Sequence, residues 1–367
     1  MTGGSSAALC RIAVVGAGSI SRRHFEAIEA HPDVFELVAV CDPDAAAIER
    51  ALAGFPGARG YATVDDLLSG EQFEAAVIAT PHFLHFEQAA TLARAGINVL
   101  VEKPLVTSTA QLRELRQIAE TSGAIVMAGQ TRRHAPEVLT ARSKTTDPKA
   151  FGELQSFDIL SFQDLRPYGR PGATKVHWLF DGELAGGGVT ISLAIHQIDM
   201  LRFLTGVDYT AVMATARFDA PFINGAESQV AATLELSNGG VGTLHADYLT
   251  TRIPFAEAMT LIGEYGSVTQ HAAWLGQYRG PLSFATSNGV PSLEFDEQLG
   301  GWAQLEDTQE DARQESSFAN QLLHFVAVLR GEAEPASGLV DNFNTIACVE
   351  AIVESARTGQ RVGVATW

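Results

Sequence analysis

The stretch RIAVVGAGSIS, residues 11–21, decides the fold of this chain. Residues 11–15 predict a short buried strand, and the positions 20, 24, 28 and 31 have the spacing of one helix face. The first glycine permits a tight turn between strand and helix, and the second lets a ligand approach the backbone. We therefore predict that this turn binds the pyrophosphate of a dinucleotide. The predicted cofactor-binding residues of the turn are Gly16, Gly18, Ser19, Ile20 and Ser21.

Asp42 follows a second apolar run, Phe35–Cys41, which predicts the next strand. An acid at the end of this strand accepts hydrogen bonds from the adenosine ribose, and its charge repels a 2′-phosphate. Pro43 comes next, and no arginine stands beside it to bind such a phosphate. We therefore predict NAD as the cofactor and disfavour NADP. A second interpretation, compatible with the first, is that Asp42 starts the next helix.

Strands and helices continue to alternate as far as residue 128. Apolar strands are predicted at 74–79, 97–101 and 124–128, with helices at 82–95 and 108–122. These strands, separated by helices, predict a doubly wound parallel sheet, the α/β architecture of a Rossmann domain. We assign residues 1–130 to this NAD-binding domain.

Beyond about residue 133 the pattern changes to alternating apolar segments separated by turns. Residues 229–237 and 240–249 meet at Asn238-Gly239, a strong hairpin signal, and 257–262 with 267–271 form a second predicted pair. Two apolar helices follow and end at Gly331 and Gly359. We predict that residues 131–367 form an α+β domain with a large, mainly antiparallel open sheet.

Composition excludes several classes of partner. The chain has 25 Lys and Arg against 43 Asp and Glu, a formal net charge of -18 that repels nucleic acid and anionic membranes. Cys10, Cys41 and Cys348 lack paired or metal-type spacing, which argues against disulfides and a metal site. Neither a signal-peptide pattern nor an apolar run near the roughly 20 residues of a membrane span is evident. We predict a cytoplasmic protein.

Lys103 lies in Glu102-Lys103-Pro104, directly after a predicted strand and at the sheet edge where open α/β sheets bind ligands. Burial beside a positively charged nicotinamide lowers the pKa of a lysine amine, so Lys103 is a candidate for proton exchange with a substrate hydroxyl. An equally simple interpretation is that Lys103 pairs with Glu102 or binds a phosphate.

Other residues at the strand ends are predicted to line the nicotinamide ribose pocket. Thr80-Pro81-His82, with His85, ends the preceding strand, although it also fits a plain helix start. The predicted cofactor-binding residues of these strand ends are Thr80, Pro81, His82, His85, Glu102, Lys103 and Gln130.

A triple glycine, residues 186–188, precedes Ser192, His196 and Asp199. Their spacing places these three side chains on one face if the segment is helical, and the glycines permit close approach of a ligand or of the other domain. His196 is a candidate to relay a proton or bind a substrate hydroxyl, with Asp199 orienting it. A histidine satisfied within the fold is the alternative.

The segment 162–178 is rich in side chains that bind polyols. Aromatic rings stack on sugar faces, and charged and amide groups bind hydroxyls. We predict a specificity loop here, with a solvated surface loop as the alternative. Its predicted substrate-binding residues are Arg166, Tyr168, Arg170, His177 and Trp178.

Together these motifs resemble the glucose-fructose oxidoreductase, inositol dehydrogenase and rhizopine-catabolism family, called Gfo/Idh/MocA. The resemblance extends from Gly16 to residues 335–338 and covers nearly the whole chain. It implies an NAD(P)-dependent oxidoreductase that acts on a ring hydroxyl of a sugar, glycoside or cyclitol. It also implies a second domain that binds substrate and uses its open sheet for oligomerisation, as a homodimer or homotetramer.

The resemblance implies that Lys103 and His196 are the catalytic residues at the reacting hydroxyl. The chain departs from the family at Ser192, where an aspartate is often found. Serine binds a hydroxyl but shares no negative charge, so we expect Lys103 to act with His196 alone and Ser192 and Asp199 to bind substrate. Two other functions stay open: a redox-neutral enzyme that retains NAD for transient oxidation during glycoside cleavage or elimination, and a catalytically silent nucleotide sensor.

Overall fold

The computed structural model describes residues 8–165, 177–220, 223–249, 255–270, 282–286, 303–304 and 317–367. The chain divides into two compact units. The first comprises the described residues within Met1–Val106, Ala110–Thr131 and Glu315–Leu339. The second comprises those within Thr107–Thr109, Arg132–Gln314 and Val340–Trp367.

The first unit is built on a parallel sheet of six strands within the described residues. They are β1 (Cys10–Val15), β2 (Phe35–Cys41), β3 (Arg59–Tyr61), β4 (Ala75–Ile78), β5 (Asn98–Glu102) and β6 (Val126–Gly129). Their order is β3-β2-β1-β4-β5-β6, and neighbouring strands pair in parallel. This order confirms the predicted Rossmann α/β fold. The order reverses between β1 and β4, and such sheets bind ligands at the carboxyl ends of these strands.

Helices connect the strands of the parallel sheet. They are α1 (Ser21–Ala30), α2 (Ala45–Leu52), α3 (Val64–Gly70), α4 (His82–Arg94) and α5 (Thr109–Ser122). Local signals set their bounds: the Thr63 side chain accepts from the Asp66 N–H at 3.1 Å at the start of α3. Gly123, with a φ of +77°, follows α5 as the glycine rule predicts.

A helix from late in the chain, α9 (Ser317–Leu329), completes the core of the first unit. Leu322 and Phe325 are fully buried in the same apolar cluster as Ile12 and Val14 of β1. The sequence-based division at 130/131 placed this helix in the second domain. Its apolar stripe packs beside α1 instead, so the first unit is discontinuous in sequence.

The second unit contains a sheet of nine strands, counted over its described residues. The strands are β7 (Leu154–Gln163), β8 (Tyr209–Arg217), β9 (Gln229–Leu236), β10 (Val241–Asp247), β11 (Phe255–Gly263), β12 (Gly266–Gln270), β13 (Leu282–Thr286), β14 (Ala303–Gln304) and β15 (Val362–Gly363). Their order is β14-β13-β12-β11-β7-β10-β9-β8-β15, and only β7 with β10 is a parallel pair. The mainly antiparallel sheet is confirmed, as is the hairpin of β9 and β10 at Gly239.

The second unit also contains helices, several of which contact this sheet. They are α6 (Pro136–Thr145), α7 (Gly182–Ala185), a π-helical turn (Thr190–Ala194), α8 (Ile195–Thr205) and α10 (Leu339–Thr358). Contrary to the expectation from the sequence, the stretch Gly182–Thr205 is long and apolar enough to cross a membrane by composition, with a mean hydropathy of 1.2. In the fold, 78% of this window is buried, which is the environment of a core helix.

Candidate active site

The glycine turn joins β1 to α1 at the centre of the parallel sheet. Gly16 has a φ of +97°, and a Cβ atom there would lie 2.5 Å from the carbonyl oxygen of Ala79, so only glycine fits. A Cβ atom on Gly18 would meet nothing within 4 Å. The backbone is therefore open at Gly18, where a pyrophosphate would approach the start of α1.

The remaining residues of the turn differ in exposure. Ser21 is fully buried in the first turn of α1, as expected for the position where helix and strand pack. Ser19 is exposed, and Ile20 keeps 39% of its surface at the helix start. Because Ser19 and Ile20 are exposed, both have room to contact a bound dinucleotide.

The carboxylate of Asp42 braces the glycine turn from the end of β2. Its Oδ2 accepts the N–H of Ala17 at 2.8 Å, and its Oδ1 accepts the N–H of Asp44 at 2.8 Å. Asp44, and not Asp42, caps α2, because its own Oδ1 accepts the N–H of Ala46 at 3.1 Å. Asp42 is half-buried, and each oxygen has a second lone pair for a ribose hydroxyl.

His85 is fully buried and bridges two loops at the sheet edge. Its Nδ1 lies 2.7 Å from the carbonyl oxygen of Pro104, and its Nε2 lies 2.8 Å from that of Thr80. Burial lowers the pKa of His85, although these carbonyls oppose the shift. Both ring nitrogens face backbone carbonyls within the fold, and a neutral ring donates its single N–H to one of them, so these contacts give His85 a structural role beside the predicted cofactor contact.

Three other predicted residues, Thr80, Pro81 and His82, lie at this edge of the sheet. Thr80 follows β4 and donates its hydroxyl to Gln88 Oε1 at 2.6 Å. Pro81 is the N-cap of α4, and His82 is buried beside His85, with ring centroids 5.7 Å apart. The backbone of 80–82 therefore lies at the carboxyl end of β4, the edge where such sheets bind ligands.

Lys103 follows β5 directly and is half-buried. Its backbone N–H donates to Glu102 Oε2 at 3.2 Å. The other oxygen of Glu102, Oε1, lies 2.8 Å from Nε2 of His24, a fully buried residue of α1. The Glu102 carboxylate is thus held by His24 and by the backbone N–H of Lys103.

Gln130 follows β6 and is 2% exposed. Its Nε2 has no hydrogen-bond partner among the described residues. A buried amide without an acceptor is costly and is typical of a site completed by a ligand or water. Together with the open backbone at Gly18, this unsatisfied donor fits the binding of a dinucleotide across the carboxyl ends of the strands.

The triple glycine of the second unit is used by the fold itself. A Cβ atom on Gly188 would lie 1.9 Å from the carbonyl oxygen of Glu227. The buried Glu227 carboxylate accepts the N–H of Gly188 at 3.2 Å and that of Thr190 at 3.0 Å. The backbone that lies close to Gly188 is therefore that of Glu227. The sequence had suggested a ligand or the other domain at the triple glycine.

His196 is the solvent-accessible residue of the buried helical stretch that follows. Every residue from 188 to 201 is buried except His196, which is half-buried. Ser192 lies in the π-helical turn, and its side chain lies beside the Tyr248 phenol. Burial raises the pKa of Tyr248, and the neighbouring Ser192 opposes that shift.

Asp199 is bound within the second unit. Its Oδ2 accepts from Arg133 Nε at 2.7 Å and its Oδ1 from Nη2 of the same residue at 2.5 Å. Asp199 and Arg133 are each 2% exposed. The Asp199 carboxylate is thus held by a guanidinium in the core, and its predicted roles, binding substrate and orienting His196, stay predictions. The wide π-helical turn also breaks the α-helical spacing on which the predicted common face depended.

The predicted specificity loop is only partly described. Arg166, Tyr168 and Arg170 lie outside the described residues. The backbone of His177 begins a short 3-10 helix, His177–Phe180, and Trp178 is half-buried within it.

Comparison with known families decides the class. The model of an oxidoreductase family with an NAD-binding Rossmann fold matches residues 10–130, and the model of its C-terminal alpha/beta domain matches residues 151–364. The chain belongs to the Gfo/Idh/MocA family. As a member of this family it is an NAD-dependent oxidoreductase, which confirms the predicted cofactor and reaction class.

Gfo/Idh/MocA proteins of known activity resemble the chain over its full length. It is 25% identical over 357 residues to inositol 2-dehydrogenase of Rhizobium meliloti (strain 1021), covering 97% of this chain and 99% of that protein. WlbA dehydrogenase from Bordetella pertussis, solved with NADH and UDP-GlcNAcA, is 25% identical with a TM-score of 0.79, covering 98% and 100% of the two chains. GenD2 from gentamicin A biosynthesis, solved with NAD, is 27% identical with a TM-score of 0.79, covering 100% and 99%.

Three residues that contact or neighbour predicted site residues were not themselves predicted from the sequence: His24, Glu227 and Tyr248. His24 had a signal, because it lies three residues after Ser21 and therefore on the same face of α1. Glu227 and Tyr248 lie outside the motifs and reach the helix of His196 only through the tertiary fold. No local pattern marks such residues.

Proposed function

We propose that this oxidoreductase acts reversibly on a secondary ring hydroxyl of a sugar, glycoside or cyclitol. The observation that carries the proposal is that His196 is half-buried, whereas the other residues of its helical stretch are buried. Lys103, the second residue of the proposal, directly follows β5. The activities named for the similar proteins, on inositol and on a sugar nucleotide, support this substrate class.

In the proposed site, Lys103 takes the proton of the substrate hydroxyl and returns it in the reverse direction. A lysine amine exchanges protons with a hydroxyl only when its place is fixed within hydrogen-bond reach. Glu102 fixes the backbone N–H of Lys103. His196 is proposed as the second proton-exchanging group, because an imidazole both accepts and donates protons and this residue is half-buried in an otherwise buried stretch.

Ser192 has a different part in this proposal from the aspartate often found in the family. Its side chain lies beside the Tyr248 phenol, so a pair of hydroxyl groups stands where a carboxylate would be. Hydroxyls donate and accept hydrogen bonds but add no charge at neutral pH. We therefore propose that Ser192 orients a substrate hydroxyl and that Lys103 and His196 alone move protons.

The cofactor is proposed to lie along the carboxyl ends of the parallel strands. Gly16, Gly18 and the start of α1 receive the pyrophosphate, and Asp42 receives the adenosine ribose. Gln130 offers its unsatisfied amide to the nicotinamide end. When bound, NAD supplies the hydride acceptor, and the protein supplies orientation and proton exchange.

A panel of sugars, glycosides and inositols, incubated with purified protein and NAD and followed by NADH absorbance, tests the proposal. We expect a substrate that the variant Lys103→Met no longer turns over, whereas Lys149→Met, which removes an exposed lysine, leaves the rate unchanged. Undiminished turnover by Lys103→Met with normal NAD binding would remove Lys103 from the reaction. Product formed without stoichiometric NADH would instead indicate a redox-neutral enzyme.

We also propose that the outer face of the nine-stranded sheet joins copies of the chain into a homodimer or homotetramer. Val241 and Ile262 are 46% and 43% exposed and flank Ser156 on neighbouring strands. Met213, 49% exposed, adds a further apolar side chain on β8. Light scattering of the protein and of Val241→Lys tests this: a monomeric wild-type protein refutes it.

A further inference from the structure

The backbone around Lys103 is held on both sides by buried histidines. On the preceding side, His24 Nε2 lies 2.8 Å from Oε1 of Glu102, whose Oε2 accepts the N–H of Lys103 at 3.2 Å. On the following side, His85 Nδ1 lies 2.7 Å from the carbonyl oxygen of Pro104. All of these residues belong to the first unit.

His24 is itself held in one orientation. It is 0% exposed, and the ring of Phe318 in α9 packs edge-on against it, with centroids 5.1 Å apart and planes at 82°. Because an ionised carboxylate only accepts, the ring nitrogen facing Glu102 must carry the proton. Nδ1 has no hydrogen-bond partner among the described residues, so the contact with Glu102 is the polar contact that fixes this ring.

His24 also connects two parts of the site along the chain. It stands on the buried face of α1, three residues after Ser21, and α1 begins directly after the glycine turn. Glu102 stands at the end of β5. A single buried hydrogen bond therefore links the helix expected to face the cofactor pyrophosphate with the residue that precedes Lys103.

We propose that His24 is a positioning residue for Lys103. It orients the Glu102 carboxylate, the carboxylate holds the N–H of Lys103, and the side chain of Lys103 is thereby held in place for proton exchange. The inference rests on the function proposed above for Lys103. Since misplacement of a reacting group by about 1 Å can cost on the order of a hundredfold in rate, loss of this hydrogen bond should act on turnover more than on binding.

Two variants of nearly equal volume separate the hydrogen bond from packing. His24→Leu fills the site but removes the donor, whereas the amide nitrogen of His24→Gln reaches the position of Nε2 and restores it. His31→Leu, at the opposite end of α1, is the matched control. Each variant is examined by thermal unfolding, NADH fluorescence titration, steady-state kinetics and amide hydrogen exchange of the peptide containing Lys103.

We expect His24→Leu to lose about tenfold or more in kcat, with KM for NAD changed by less than about threefold, and to exchange the Lys103 amide faster. His24→Gln should recover most of both properties, and His31→Leu should resemble the wild type. If His24→Leu lowers only the unfolding temperature, with unchanged kcat and exchange at Lys103, His24 is merely structural and the inference fails.

The exchange measurement separates this inference from the proposed function. It reports the backbone of Lys103 without substrate or turnover, so it stays informative even if Lys103→Met is fully active. Full activity of Lys103→Met overturns the role of Lys103. Equal exchange in His24→Leu and His24→Gln overturns the role of His24.

Discussion

Replacing Asp42 with alanine should weaken both the fold and cofactor binding. The carboxylate accepts the N–H groups of Ala17 and Asp44, each at 2.8 Å. In the variant these donors lose a charged acceptor, and the one at Ala17 lies inside the glycine turn. The change therefore removes the brace of the turn together with the group proposed for the adenosine ribose.

The size of the effect follows from two hydrogen bonds to one charged acceptor. Such a bond contributes about 1.5–3 kcal/mol. Asp42 is half-buried, so the lower figure applies to each bond, and we expect the free energy of unfolding to fall by about 3 kcal/mol. Loss of one further bond, to a ribose hydroxyl, should raise the Kd for NADH about tenfold, because a factor of ten corresponds to about 1.4 kcal/mol.

Urea unfolding without cofactor and fluorescence titration with NADH and NADPH measure the two effects. Asp44→Ala is the control, because it removes the cap of α2 at a cost of about 1 kcal/mol without touching the glycine turn. Its NADH affinity should match the wild type. An Asp42→Ala protein with wild-type unfolding and wild-type preference for NADH over NADPH would refute the reasoning.

Two further outcomes are expected. Gly188→Ala should unfold at a clearly lower temperature, because its Cβ would lie 1.9 Å from the Glu227 carbonyl, whereas Gly18→Ala, with nothing within 4 Å, should keep its stability but bind NADH more weakly. Burial lowers the pKa of His85 from 6.5, and Glu102 and Lys103 are the charged groups that act on it. Below pH 6.5 the unfolded chain therefore binds a proton that the folded chain does not. As the pH is lowered, the free energy of unfolding should decrease by at most about 1.4 kcal/mol per pH unit. His85→Gln should flatten this dependence in urea unfolding, and an unchanged slope would contradict it.

The order of elements could be predicted because the signals for them are local. The glycine turn and the hairpin at Gly239 each depend on a few adjacent residues, and the structure has both. The place of α9 could not be predicted in this way. Its apolar stripe indicates that one face of the helix is buried, but it does not indicate which apolar surface packs against that face.

Site residues that directly follow a strand could be predicted from the sequence. Contacts between residues that are distant in the sequence could not. Lys103 and Asp42 could be placed from the end of the preceding strand alone. The ion pair of Asp199 could not be predicted, because its partner Arg133 stands 66 residues earlier in the chain. Likewise, the partner of Ser192 is Tyr248, on a segment that the spacing of 192, 196 and 199 does not reveal.

The position of α9 has a consequence for how the protein is made. Residues up to 131 leave the ribosome well before Leu322 and Phe325, which fill the core of the same unit. At about 5–20 residues per second, the nascent NAD-binding unit waits on the order of ten to forty seconds for the helix that completes it. During that interval the apolar surface beside α1 is uncovered and open to chaperones. A gene fragment that ends at the apparent domain boundary would keep that surface exposed permanently.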